Sequence, residues 1–104
     1  MNVHKENEGL LLKMIEKRGK RWLVSKLAEE CCELAAAALQ HLNKDADFSA
    51  VLVESAHVLI HLEAIKRFDV DGNIPYYEAA KYTQIMNHLF EDMDDDAADD
   101  NKKE

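Results

Sequence analysis

Two short acidic segments have the residue types and the spacing of a metal site. The first has the sequence EECCE (residues 29–33), and the second has the sequence ESAH (residues 54–57). Residues three or four apart share one face of an α-helix, so the outer residues of each segment project together. Two such helices packed antiparallel bring three carboxylates and an imidazole around one point. The candidate metal ligands are Glu30, Glu33, Glu54 and His57.

Four helices with short connections are predicted to position these residues. They cover residues 3–18, 21–43, 48–68 and from about Pro75 to Met93. Gly19 ends the first helix, and Asp47 is suited to cap the third, because an aspartate side chain accepts hydrogen bonds from first-turn amides. Sustained strand-like alternation is absent. The expected fold is therefore an all-α four-helix bundle, completed by homo-oligomerisation because one copy offers a small core.

Composition indicates one helical domain, residues 1–93, followed by an acidic tail, residues 94–104. The chain has 104 residues, of which 47% are hydrophobic and 33% charged, and its net charge is −8. Residues 91–104 hold eight acids against two lysines, a net of −6, which leaves −2 for residues 1–90. The tail is interpreted as a disordered, solubilising end or as an arm for a basic partner. Duplex nucleic acid is not an expected partner, because no basic face is available.

The sequence predicts a cytoplasmic protein without membrane segments. Apolar runs stay below the length of about 18 residues that a membrane span needs, and the first residues do not resemble a secretory signal. Cys31 and Cys32 are adjacent in a predicted helix, where their side chains diverge and do not easily bridge. They are interpreted as reduced residues of a reducing compartment.

The third predicted helix carries two polar stripes, whereas a surface helix needs one. His57 and His61 lie within about 60° of Glu54 around the helix axis. Its other polar side chains collect on a separate arc. The ordinary alternative is a pair of core histidines satisfied by hydrogen bonds. On the second helix, Glu29 and Glu33 also fit a solvated face, but like charges at this spacing destabilise a helix by roughly a few tenths of a kcal/mol. A bound cation would reverse that effect.

The order and spacing of the two segments resemble the MazG-like all-α nucleoside triphosphate pyrophosphohydrolases. That family carries EExxE, a gap, then ExxD and an apolar run. This chain has Glu29-Glu30-x-x-Glu33, twenty intervening residues, Glu54-x-x-His57, and then Val-Leu-Ile. The resemblance covers residues 20–93 and is closest over 26–62. It implies a helical bundle that forms homodimers or homotetramers, binds Mg²⁺, and hydrolyses a nucleoside triphosphate to the monophosphate and pyrophosphate.

His57 departs from the family pattern, because the family has aspartate at this position. Mg²⁺ prefers oxygen ligands, and an imidazole suits Mn²⁺, Fe²⁺ or Zn²⁺ better. Three outcomes follow: a retuned metal, a weak enzyme, or a protein that binds nucleotide or a partner protein without hydrolysis. His61 is similar to a histidine of the phosphoribosyl-ATP pyrophosphohydrolases, a second enzymatic alternative with a usually shorter gap between the motifs.

The resemblance also implies roles for individual residues. The four candidate ligands named above would hold the cation. Glu29 is the candidate base that orients the attacking water. Lys26 would neutralise a phosphate, or simply form an i,i+4 ion pair with Glu30. Trp22 would stack on a base, with a core position as its ordinary alternative. His61 is the third candidate substrate contact.

Overall fold

The computed structural model describes the backbone of residues 2–98 and the side chains of residues 2–91. Over this part every regular element is a helix and there is no strand, which confirms the all-α class. No helix in the described range is both long and apolar enough to cross a membrane. The helices are α1 (Val3–Glu6), α2 (Glu8–Arg18), α3 (Lys20–Lys44), α4 (Ser49–Lys66) and α5 (Asn73–Ala98).

The chain divides into two units, of which the first ends at Asp69 and the second begins at Val70. In the first unit, α3 and α4 pack along each other, and α2 contacts both. The second unit contains α5, which continues to Ala98 rather than ending near Met93. Part of the expected acidic tail is therefore helical, and residues 99–104 lie outside the described range. A bundle of four helices remains a prediction.

A tight turn after α3 reverses the chain direction. Asp45 adopts the left-handed conformation, with φ 54° and ψ 31°, which ends the helix. The Ala46 amide donates to the Gln40 carbonyl at 3.3 Å. The Nδ1–H of His41 donates to the Ala46 carbonyl at 2.8 Å. These bonds satisfy backbone groups that would otherwise be left unpaired at the helix end.

The first turn of α4 is held by the side chain that the sequence singled out. Asp47 Oδ1 accepts a hydrogen bond from the Ser49 amide at 2.9 Å, although Phe48 occupies the N-cap position itself. The ring of Phe48 lies 5.1 Å from that of His41, measured between centroids. This contact joins the end of α3 to the start of α4, and the two antiparallel helices pack against each other.

The apolar core of the first unit lies where α2, α3 and α4 meet. Leu23 and Ala64 are fully buried, and Leu11 is nearly so. The side chains packed around them are Met14, Ile15, Ile65 and Phe68. This core fixes the register of α3 against α4, and that register places the acidic segments.

Arg67 joins the end of α4 to the start of α2. Its guanidinium pairs with both carboxylate oxygens of Glu8, through Nε at 3.3 Å and through Nη2. The Nη1 atom donates to the side chain and to the carbonyl of Glu63, each at 2.7 Å. Two carboxylates on one partly buried guanidinium form a network rather than an isolated surface pair, so this network contributes to stability.

Replacing Arg67 by methionine is expected to lower the free energy of unfolding by about 1–2 kcal/mol, because two charge-assisted contacts are lost together. Urea unfolding followed by circular dichroism measures the change. Arg21→Met, which alters an exposed arginine of α3, is the matched control and should stay close to the unmodified chain. Equal stability of the two variants would contradict a structural role for Arg67.

The same network predicts a pH dependence. The hydrogen bond from Arg67 lowers the pKa of Glu63 below its ordinary value of 4.5. A lowered carboxyl pKa contributes stability that is present above about pH 4.5. This stability is lost as the pH falls through the pKa of the carboxyl in the folded state. Glu63→Gln should therefore be less stable than the unmodified chain near neutral pH, with a difference that shrinks on acidification. A difference that grows toward low pH would be incompatible with this origin.

Candidate metal centre

The antiparallel packing of α3 and α4 brings the four candidate ligands together. Each residue offers one ligand atom, and these atoms all lie within 4.8 Å of one another. The set, which we call the ligand cluster, consists of Glu30, Glu33, Glu54 and His57. Two carboxylates come from α3, while the third carboxylate and the imidazole come from α4. The spacing within each segment puts its ligands on one helix face, and the register between α3 and α4 brings the two faces together.

Glu30 is the buried member of the cluster. The residue is 7% exposed, and its Oε2 atom is buried without a hydrogen-bond partner among the described residues. Lys26 Nζ lies 3.6 Å from Oε1, and His57 Nδ1 lies 3.6 Å from Oε2. Leaving a buried carboxylate oxygen without a hydrogen bond is unfavourable. A cation placed within the cluster would compensate that oxygen directly.

The two ligands on α4 contact each other. The Nδ1–H of His57 donates to Glu54 Oε2 at 3.2 Å, so this ring edge faces the carboxylates. Glu54 is largely buried, whereas about half of the His57 side chain is exposed. The cluster is therefore closed on the Glu30 side and open to solvent on the His57 side. An open side is what a site needs in order to admit a ligand such as a phosphate.

Glu33 completes the cluster at the surface. The negative charge of Glu30 raises the pKa of the Glu33 carboxyl above its ordinary 4.5, and partial desolvation and the charge of Glu54 act in the same direction. A raised carboxyl pKa means that the charged form is disfavoured where it stands. Concentrated negative charge of this kind is the electrostatic requirement for binding a divalent cation.

Lys26 and Glu29 lie beside the cluster on the same helix. Lys26 Nζ is 3.4 Å from Glu29 Oε1 and 3.6 Å from Glu30 Oε1, so the ion pair considered from the sequence is present. The charge of Glu29, followed by hydrogen bonding to it, raises the pKa of Lys26. Glu29 is exposed and contributes no atom to the ligand cluster. It stays a candidate base, and Lys26 a candidate phosphate contact.

His61 and Trp22 lie outside the cluster. The Nδ1–H of His61 donates to the His57 carbonyl at 2.9 Å, which leaves Nε2 as its remaining ring nitrogen. Trp22 is 38% exposed, so it does not occupy the core. Sequence reasoning missed its neighbour Arg18, whose guanidinium carbon lies 5.1 Å from the centre of the indole ring. Arg18 ends α2 and Trp22 lies in α3, so no helical spacing within one element indicated this cation–π contact.

Comparison with known protein families, with curated proteins and with solved structures gives no match for this chain. The resemblance to the MazG-like enzymes therefore depends on the order and spacing of the two acidic segments in the sequence alone.

Charge repulsion within the cluster can be tested at Glu33. In chelator near neutral pH, Glu33→Gln should be more stable than the unmodified chain, because an uncharged amide removes the repulsion from Glu30. Because the pKa of Glu33 is raised, the unmodified chain loses stability as the pH rises from 4.5 through the pKa of this carboxyl in the folded state. The advantage of the variant should accordingly disappear below pH 4.5.

Added Mn²⁺ should make the unmodified chain more stable than Glu33→Gln, because the unmodified chain gains more binding free energy than the variant. Thermal unfolding with chelator and with Mn²⁺ measures both effects. Glu16→Gln, at an exposed glutamate of α2, is the control. Two results would argue against a shared site. One is a Glu33→Gln variant that is less stable in chelator than the unmodified chain, and the other is a variant that gains as much stability from Mn²⁺ as the unmodified chain does.

Proposed function

We propose that this protein is a metal-dependent nucleoside triphosphate pyrophosphohydrolase that releases a nucleoside monophosphate and pyrophosphate. The observation that carries the proposal is that ligand atoms of three carboxylates and an imidazole lie within 4.8 Å of one another, beside a buried Glu30 Oε2 atom without a hydrogen-bond partner among the described residues. The order of the two acidic segments along the chain supports the same reaction class. Polyphosphate hydrolysis needs concentrated positive charge, which an acidic cluster supplies by holding a cation.

The donor set fits a divalent cation. Glu30, Glu33, Glu54 and His57 would hold it, and its chemistry there is to neutralise phosphoryl oxygens and to acidify a bound water. Glu29 is exposed one residue from Glu30 and can orient a water beside the cluster. Lys26 adds a positive charge next to the carboxylates, where a phosphate group would otherwise be repelled.

The face of α3 that leads away from the cluster suits a nucleotide. Trp22, Lys26 and Glu30 follow one another at intervals of four residues, so they lie along one side of the helix. At 1.5 Å per residue, the indole lies about 12 Å along the axis from the buried carboxylate. A base on Trp22 and a triphosphate running past Lys26 toward the cluster would match this distance. His61 lies on the opposite helix and would contact the same molecule.

Pairing with a second copy, as a dimer or a tetramer, is part of the proposal. The exposed apolar side chains of α5 include Tyr82, Ile85, Met86, Leu89 and Phe90. Their spacing of three and four residues forms one apolar stripe along the helix. A stripe of this kind is typical of helices that associate, so α5 is the proposed contact surface.

A second candidate function is nucleotide or partner-protein binding without hydrolysis. The observation that favours it is the pairing of His57 with Glu54 and Glu30, together with the pairing of Lys26 with Glu30. These contacts compensate part of the carboxylate charge without a cation. A protein that uses them for stability alone would keep its fold and lack turnover.

Incubation with a panel of nucleoside triphosphates and phosphoribosyl-ATP, with Mg²⁺ or Mn²⁺, should release pyrophosphate and the corresponding monophosphate. Glu30→Gln should lower the rate by about a hundredfold or more, because it removes the buried carboxylate of the cluster. Glu16→Gln should retain the rate. Product analysis by ion-exchange chromatography separates pyrophosphate from orthophosphate.

No turnover with either cation, by a chain that is folded and binds nucleotide in a titration, would establish the binding function instead. Equal rates for Glu30→Gln and the unmodified chain would also end the hydrolase proposal. Release of orthophosphate in place of pyrophosphate would move the protein to another class of nucleotide hydrolase.

A further inference from the structure

The imidazole in the ligand cluster bears on which cation the site prefers. We infer that the site selects a first-row transition dication, with Mn²⁺ as its accessible representative, over Mg²⁺, and that Nδ1 of His57 is a direct ligand. This inference rests on the metal centre of the proposed function and goes beyond it, since pyrophosphate release alone would be satisfied by Mg²⁺ held on carboxylates.

The geometry identifies the ring atom. Nδ1 of His57 lies 3.2 Å from Glu54 Oε2 and 3.6 Å from Glu30 Oε2, so a nitrogen rather than a carbon edge faces the carboxylates. Glu30 Oε2, on a side chain with 9% relative exposure, lacks a hydrogen-bond partner among the described residues. These two atoms come from α4 and α3 and lie 3.6 Å apart. Coordination through Nδ1 places the ring proton on Nε2, at the solvent-exposed side.

The donor set then discriminates between cations. Mg²⁺ takes oxygen ligands in near-ideal octahedral geometry and keeps several waters, so an imidazole nitrogen adds little to its binding. First-row transition dications accept an imidazole readily, and their affinities rise from Mn²⁺ onward. Lys26 places a positive charge beside Glu30 that opposes either dication to the same extent, so the discrimination depends on the imidazole.

The test uses the full metal-free chain without nucleotide. Electron paramagnetic resonance follows the loss of free Mn²⁺ signal on titration, and competition with Mg²⁺ gives the second affinity. Mn²⁺ should bind more tightly by about tenfold or more, which corresponds to about 1.4 kcal/mol. Pulsed measurements on bound Mn²⁺ should show nitrogen-14 modulation from a directly coordinated imidazole.

His57→Asp should remove the nitrogen modulation, because a carboxylate replaces the ring. It should also raise the Mg²⁺ affinity and so narrow the preference for Mn²⁺ over Mg²⁺. His57→Gln removes the imidazole without adding charge, and it serves as a second variant if the aspartate destabilises the fold. His88→Gln, at an exposed histidine of α5, should keep both the modulation and the preference.

Equal affinity for the two cations, absence of nitrogen modulation, or an unchanged preference in both His57 variants would overturn the inference. Pyrophosphate release is measured separately, so the two failures are distinguishable. Hydrolysis by a chain that binds Mg²⁺ and Mn²⁺ equally would keep the enzyme and reject the selectivity. Selective Mn²⁺ binding without pyrophosphate release would keep the metal inference and reject the enzyme.

Discussion

A carboxylate held between α3 and α4 constrains this part of the molecule more than any other group. Glu30 is buried against the opposite helix, and its Oε2 atom has no hydrogen-bond partner among the described residues. A buried polar atom left in that state costs about 1–3 kcal/mol. His57 Nδ1, 3.6 Å from Oε2, and Lys26 Nζ, 3.6 Å from the other oxygen, Oε1, offset part of the cost from beyond hydrogen-bonding distance. A leucine at this position would avoid the cost entirely, so the buried carboxylate is consistent with the cation site proposed above.

The apolar core and the ligand cluster share the same helix faces. Leu23 precedes Glu30 by seven residues on α3, and Ala64 follows His57 by seven on α4. Seven residues are close to two helical turns, so each pair lies on one side of its helix, about 10 Å apart along the axis. The interface therefore passes from a dry layer that also includes Leu11 to a charged layer. The dry layer fixes the register of α3 against α4. The charged side chains of the two helices are therefore brought together by the apolar contacts and not by attraction among themselves.

The cluster was accessible from the sequence because its two halves are local. Helical spacing alone predicts which residues of one segment share a face, and short connections predict antiparallel neighbours. Periodicity also places Glu30 at the edge of the apolar face of α3, with Glu29 and Glu33 on the solvated side, and contact with α4 buries it. The pairing of Arg67 with Glu8 was missed, because these residues lie 59 positions apart. No local pattern encodes an ion pair between distant segments, and the ring nitrogen that His57 presents likewise depends on the opposite helix.

Repulsion inside the cluster would couple the proposed cation binding to folding. The pKa of Glu33 is raised mainly by Glu30 and further by Glu54, so the three carboxylates oppose one another when all are charged. The described residues bury few apolar side chains completely, which leaves modest cohesion to hold such charges together. A ligand at a hundred times its dissociation constant stabilises the folded state by about 2.7 kcal/mol. That gain is comparable to the cost of the unpartnered Glu30 oxygen. A cation at this position would therefore act on stability as well as on chemistry, and the folded population would follow metal availability.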